Sequence, residues 1–562
     1  LRSRIQPRTS KTWDMTTNIE NIILKTELGH VKGLVNKTDD LTTFTFKGIP
    51  YAHPPLGALR FLAPIPAHRW QDTLDCTKDP PSAYTLDENM GVTGSEDCLY
   101  IDVISPSINN TTPLPVMFWI GSCVYTFTHD QILNPELLLE ENVVFVRCNF
   151  RLGPFGFLSI NDVCAPGNCG LKDVVMALQW VSKNIHSFGG DPNNVTIFGS
   201  GTGGAVVHLL MLSPMATGLF HKAIIQSASA LNNWSLAKNP SMPALDLAKE
   251  LGIDTSDKIE AVEKMRIMPA EEIMVAFRKV FDDMWNNGES DVFDALFKPS
   301  IEEEFEGQPA FLTKSPSMLI KSGNYNKVPL IIGSNTIEAY ALSFVKEGLY
   351  DFEKYNKDLR LLVPRALAGE ANKSKNIALQ LLKFYTGEET LSEETTNQYL
   401  QLLSDYYFLY YVNKTVKLHT QYAPDCPVYY YIVNFAGEWS LPPNYQLFNS
   451  LGHSAEIPYV FSLNLPGFKG SKDSIRTRSK MVKLWTNFAK YGNPTPNDDD
   501  SLLQITWDPV QNKDRLNYLS IGPELTKGRN PFYERMLFWD NIHNEHSFLI
   551  ALVHFNALGV VC

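Results

Sequence analysis

The run Val195–Gly204, VTIFGSGTGG, joins an apolar, β-branched stretch to a glycine cluster and then to the apolar segment AVVHLLML. This is the form of a nucleophile elbow, a strained strand-to-helix turn with the pattern G-x-S-x-G that lifts its central side chain above a sheet. The chemistry served by such a turn is attack of a hydroxyl on a carbonyl carbon, with a neighbouring base to take the proton. Here the central residue is Gly201, so the hydroxyl is missing. Ser200 and Thr202 flank it. The elbow raises only its middle residue, so a side chain one position away points elsewhere, and Thr202 is stiffer again because it is β-branched. Losing the nucleophile of a hydrolase triad costs about 10⁶ in rate.

An elbow needs a sheet to stand on. Strand-like runs NIILKTEL, TTFTFKGIPYA, CLYIDVISP, PVMFWI and VVFVRCNF precede it, and HKAIIQSASA, VPLIIGSN and PVYYYIVNF follow. In GLKDVVMALQWVSKNI, Val174, Ala177, Leu178 and Val181 fall at helical spacing and make a face for packing on a sheet. Segments 240–325 and 375–420 read as helical, the first as an inserted cap, and KMVKLWTNFAKYG as a late amphipathic helix. Strands alternating with helices around short apolar runs predict an α/β fold, a mainly parallel sheet flanked by helices. With no repeat or low-complexity linker, a single domain is expected over residues 21–545. A disordered extension (1–20) would precede it and an apolar tail (546–562) follow.

The 562 residues carry 44% apolar side chains and a formal charge of −12. That balance, with no long basic run, argues against a nucleic-acid partner. No signal peptide or membrane span is visible. The chain opens on Leu1 with basic, polar LRSRIQPRTSKTWD; either a leader lies upstream, giving an extracellular or membrane-associated protein, or Met15 is the start of a cytoplasmic one. The tail SFLIALVHFNALGVVC is short and interrupted by His554 and Asn556, which reads as a terminal helix or frayed end before it reads as an anchor. Eight cysteines are too few for a disulfide scaffold. Cys76 and Cys98 bracket a polar, proline-containing loop and form a candidate disulfide; Cys164 and Cys169 are a second possible pair, and Cys148 reads as a buried thiol. N-x-S/T sequons stand at Asn36, Asn109, Asn110, Asn194, Asn233, Asn372 and Asn413. No metal or cofactor is expected.

The segments FKGIPYAHPPLGALRF, SEDCLYIDV, NFRLGPFGFLS, GNCGLKDVVMALQWV, SFGGDPNNVTIFG and GLFHKAIIQSASA resemble the type-B carboxylesterase/cholinesterase family in order and spacing, from about Leu28 to about Trp539. The resemblance implies an α/β-hydrolase fold with its site at the bottom of a deep gorge. In that family the nucleophile sits in an elbow like FGESAGG, so its serine position is Gly201. A segment like G-x-N-x-x-E-G carries the triad acid, and GSNTIEA supplies Glu338. A segment like H-x-x-E-[IL] carries the base, and GHSAEIPYVF supplies His453. The family's oxyanion glycines correspond to Cys123 and Val124, with Thr202 as the third position, so side chains now crowd a place where backbone N–H groups must approach a carbonyl. By the same resemblance Arg60–Glu96 and Arg151–Asp173 are internal ion pairs. His208, on the elbow helix, reads as a packed histidine. The loop between Cys76 and Cys98 has no tryptophan, which argues against binding quaternary ammonium through a cation–π contact.

Three functions follow for testing. The Gly-Ser-Gly elbow resembles the neuroligins, and neurotactin is another adhesion member of the family, which implies a protein partner at the outer surface. A hydrophobic small molecule held in the gorge without turnover is a second reading. The third is an active carboxylesterase with a displaced nucleophile, supported by Glu338 and His453. The first two make Glu338 and His453 a vestigial acid and base.

Overall fold

The computed structural model describes residues 18–557 apart from 39–40, 88–89, 129–131, 287–294, 341–348, 365–366, 369, 441–451, 464–469 and 498–499. The N-terminal extension therefore falls almost wholly outside the described residues.

Among the described residues thirteen strands form one sheet. β1 (Asn18–Lys25), β2 (His30–Lys37) and β3 (Thr42–Pro50) are antiparallel, with the short β4 (Leu74–Asp75) beside β2. β5 (Tyr100–Ser105) continues the antiparallel part against β3. The centre is parallel: β6 (Leu114–Trp119), β7 (Val144–Cys148), β8 (Gly190–Ser200), β9 (Lys222–Gln226), β10 (Leu330–Asn335), β11 (Val428–Val433) and β12 (Asn517–Ile521), in the order β7-β6-β8-β9-β10-β11-β12. β13 (Thr526–Arg529) closes the far side antiparallel to β12. The sequence explains this division. β10 and β11 are buried at every position, as strands covered on both faces must be, whereas β2 alternates between buried and open positions.

Helices cover both faces. α1 (Cys169–Asn184) buries Val174, Ala177, Leu178 and Val181 completely, as its spacing predicts. α2 (Thr202–Leu212) follows the elbow and is buried along its whole length. The cap predicted over 240–325 contains α3 (Ser241–Glu250), α4 (Lys258–Ile267) and α5 (Ala270–Asn286). α6 (Ala371–Tyr385), α7 (Thr396–Ser404) and α8 (Tyr410–Tyr422) follow, a π-turn at Asp405–Leu409 joining the last two. α9 (Lys472–Tyr491) is the late amphipathic helix, and α10 (Tyr533–Ala557) runs into the apolar tail. Among the described residues no helix is long and apolar enough to cross a membrane.

The candidate disulfide is corrected: Cys76 and Cys98 are free thiols, as are Cys164 and Cys169. Cys76 lies in a sheet ladder, its N–H donating to Lys32 O and its carbonyl accepting from Lys47 N. Burial pushes the Cys98 thiol up, and its charged neighbours are Asp173 and Arg151, while Cys76 faces Asp75 and Asp102. The loop ends thus sit in separate surroundings. Cys148 is buried, as expected. The sequon asparagines Asn109 and Asn372 are exposed, whereas Asn413 is buried.

Both expected ion pairs are present. Arg60 grips Glu96 through two bonds of 2.7 Å and donates its remaining nitrogen to the carbonyls of Met265, Arg266 and Met268 at the end of α4. It therefore caps a cap helix as well as neutralising a carboxylate. Arg151 and Asp173 meet at 2.6 Å with side chains 3% and 0% exposed.

Candidate active site

The elbow is built as its motif predicts. Gly201 joins β8 to α2 at φ 57° and ψ −125°, its N–H donating to Gln226 O and its carbonyl accepting from Ala205 N. The glycines two positions to either side are there for packing. A Cβ on Gly199 would lie 2.7 Å from the carbonyl carbon of Gly203, and one on Gly203 would lie 2.1 Å from Ile120 O. Both obstacles are backbone, so neither can step aside. At Gly201 the obstacle is different: a Cβ there would lie 2.5 Å from His453 Nε2. The imidazole stands in the volume that a serine side chain would use.

Glu338 and His453 are brought into contact. His453 Nδ1 lies 2.7 Å from Glu338 Oε2, while Glu338 Oε1 accepts from Ser227 Oγ and Asn335 N, each at 2.6 Å. Glu338 is fully buried, and burial raises its pKa against the opposing pull of His453 and Ser227. A second carboxylate, Glu456, lies beneath. It accepts from Ser200 Oγ at 3.1 Å, Gln226 Nε2 at 3.1 Å and Asn335 Nδ2 at 2.7 Å. The Phe408 ring packs 4.6 Å from the His453 ring.

The two hydroxyls beside Gly201 are committed elsewhere. Ser200 donates to Glu456, and Thr202 Oγ1 donates to Ser122 O at 2.6 Å. A hydroxyl has one proton to give, and neither gives it to His453.

The oxyanion loop keeps the path of a glycine run without the glycines. Val124 and Tyr125 both lie in the left-handed region, at φ 53° and 54°, which costs about 1–3 kcal/mol for each non-glycine residue. The surroundings hold them there: Gly153 N donates to Tyr125 O, Thr85 Oγ1 to Thr126 O, and Tyr125 OH to Ser235 O. The N–H of Cys123 is spent, donating to Phe127 O at 2.9 Å in a closed turn whose return bond runs from Phe127 N to Cys123 O. One of the three backbone donors the resemblance assigned to an oxyanion is thereby turned away.

The Cys123 thiol is open to solvent but walled by protein, and that burial pushes it up to about 11. It is therefore a neutral thiol near pH 7 and not a ready nucleophile. Its alkylation by iodoacetamide, followed by peptide mapping, is expected to rise about tenfold per pH unit between pH 7 and pH 10. A rate already at its plateau at pH 7 would show an activated thiolate instead.

Sequence reasoning placed Gly201, Glu338, His453, Cys123, Val124 and Thr202 around one site; the structure brings Gly201, His453 and Glu338 together and ties Thr202 to Ser122, in the loop that carries Cys123 and Val124. Sequence reasoning gave no role to Ser227, Asn335, Glu456 or Phe408. Three of these were within reach, since IIQSASA, GSNTIEA and GHSAEIPYVF contain Ser227, Asn335 and Glu456. Phe408 arrives from the π-turn before α8, and no local pattern marks it.

Comparison with known proteins agrees with this fold. Residues 20–539 match the profile of the "Carboxylesterase family". Juvenile hormone esterase of Tribolium castaneum is 33% identical over 512 residues, covering 85% of this chain and 84% of that protein. Venom carboxylesterase-6 of Apis mellifera is 33% identical, covering 85% and 88%. Acetylcholinesterase 1 of Caenorhabditis elegans is 30% identical, covering 88% and 83%. The crystal structure of juvenile hormone esterase from Manduca sexta, with OTFP covalently attached, superposes with a TM-score of 0.80 at 29% identity, over 93% of this chain and all of that one. The α/β-hydrolase fold and the match over most of the chain lead to one conclusion: this protein is a member of the carboxylesterase family.

Proposed function

We propose that this protein binds without hydrolysing: a carboxylesterase fold kept as a receptor for a hydrophobic small molecule at the former catalytic site. The observation that carries the reading is the glycine at the elbow, with His453 Nε2 standing where a serine side chain would be. The spent Cys123 N–H and the engaged hydroxyls of Ser200 and Thr202 support it. Cys123 and Val124 carry apolar side chains at positions the resemblance gives to glycines, which suits an apolar ligand. A protein partner on the outer surface is the second reading, favoured by the Gly-Ser-Gly elbow. An active esterase with a displaced nucleophile is the alternative, and it would require Ser200 to leave Glu456 or Thr202 to leave Ser122.

The test is intact mass after incubation with a fluorophosphonate, beside an active esterase of the family. No adduct is expected on this protein, and a hydrophobic 4-nitrophenyl ester should bind stoichiometrically and be recovered intact. A one-to-one adduct mapped to Ser200 or Thr202 would establish the displaced nucleophile. Absence of both adduct and ester binding would leave the partner surface as the surviving reading.

A further inference from the structure

Behind the elbow, outside the site, lies a buried chain of titratable side chains that the functional reading does not use. His208 in α2 and His419 in the last turn of α8 are 0% and 3% exposed, with their Nε2 atoms 2.8 Å apart. His208 Nδ1 accepts from Ala230 N at 3.0 Å, and His419 Nδ1 lies 3.0 Å from Tyr325 OH. The connectivity fixes every proton. Because Ala230 N–H can only donate, His208 Nδ1 must be bare and Nε2 must carry the hydrogen. His419 Nε2 must then be bare to accept it, and His419 Nδ1–H donates to the Tyr325 oxygen.

This arrangement holds only while both rings are neutral. A proton added to His208 Nδ1 would face the Ala230 N–H, and one added to His419 Nε2 would face the His208 N–H. Reversing the direction of the His–His bond moves the conflict back to Ala230. Wherever the proton lands, donor meets donor. Among the described residues no carboxylate or ammonium acts on either ring to offset this. The titratable group facing the pair is Tyr325, whose own neighbours are Cys426 and Lys327, the ammonium standing 5.9 Å from the Tyr325 ring. Burial lowers both histidines, His208 well below its ordinary value and His419 to about 4.

We infer that the His208–His419 pair is an acid-release latch, fastening the elbow helix to α8 and to the turn after β9, and opening when it takes up a proton. What it fastens matters for the site. The turn that Ala230 belongs to begins with Ser227, the donor to Glu338. Trp234, just beyond, packs 5.9 Å from the ring of Phe408, which covers His453. Opening the latch therefore loosens the acid, the base and the elbow together, whether or not the site turns over any ester.

The experiment is amide hydrogen exchange on the full chain between pH 7 and pH 4.5, corrected for intrinsic exchange, with histidine Cε1 exchange measured on the same samples. If the open state takes up one proton, its population rises about tenfold per pH unit below the ordinary histidine range. Peptides from 202–212 and 227–235 are expected to lose protection together, as His208 and His419 titrate below the ordinary value. In H208N/H419Q, which preserves acceptor and donor without titrating, that slope should vanish. Should the variant fail to fold, the histidine exchange of the unmodified protein decides. Both rings titrating near 6.5 while α2 stays protected, or acid loosening that spares 202–212 and 227–235, would overturn the latch.

Discussion

Restoring serine at position 201 is expected to leave the protein a poor esterase, with kcat/KM toward 4-nitrophenyl butyrate at least about 10²-fold below that of an active family member. Two faults remain after the hydroxyl returns. The new Cβ meets His453 Nε2 at 2.5 Å, so the ring must retreat before it can act as base. It is held from behind by Glu338 at 2.7 Å and covered by Phe408. The second fault is electrostatic, because the Cys123 N–H donates to Phe127 O and cannot reach a developing oxyanion. One missing donor costs about 10²–10³ in rate. Adding C123G and V124G to G201S frees the loop from two side chains and relieves the strained position at Val124, and activity should rise at least about tenfold over G201S alone. Fluorophosphonate labelling separates the faults: G201S that labels slowly but turns over no ester has a nucleophile and no oxyanion hole. Full activity from the single substitution would mean that loop and imidazole adapt at little cost, and the binding reading would then rest on Gly201 alone.

Much of this was legible in the sequence, for a physical reason. Strands buried on both faces are continuous apolar runs, so VPLIIGSN and PVYYYIVNF stood out and became β10 and β11. β2, HVKGLVNK, has one open face and a glycine in it, and it passed unread. Gly33 is there because a Cβ would lie 2.5 Å from the Phe46 ring and 2.6 Å from Thr45 O, a pressure from the neighbouring strand that no local pattern encodes. The elbow was legible because its constraints are local, and the oxyanion change because a glycine run had gained side chains. That His453 fills the vacated volume was not legible, since the residues are 252 apart and their meeting depends on the whole sheet. The disulfide failed likewise: loop ends close in sequence carry no information about which way two buried side chains face.

Removing Asp173 is expected to be the most destabilising single change among the charged residues described above, by about 3–5 kcal/mol. Asp173 accepts from Arg151 Nε at 2.8 Å, from Nη2 at 2.6 Å and from the Arg151 backbone N–H at 3.0 Å, while Nη1 is held by Leu62 O at 2.8 Å. Both side chains are dry, so D173A leaves a guanidinium with no counter-charge and no water. The surroundings offer no escape, because a Cβ on Gly156 or Gly170 would lie 2.1 Å or 2.3 Å from Arg151 O, and backbone therefore closes over the pair. The midpoint of urea unfolding, followed by tryptophan fluorescence, should fall, and R151M/D173L should recover most of the loss, since an apolar pair of similar volume removes the stranded charge. An unchanged midpoint in D173A would mean that water reaches Arg151. The residues after Arg151 run to Gly153, whose N–H holds Tyr125 O and with it the strained oxyanion loop. D173A should therefore raise exchange in 121–127 as well as lower stability. The ion pair thus anchors the α/β-hydrolase scaffold, reaching through Gly153 to the loop beside the elbow.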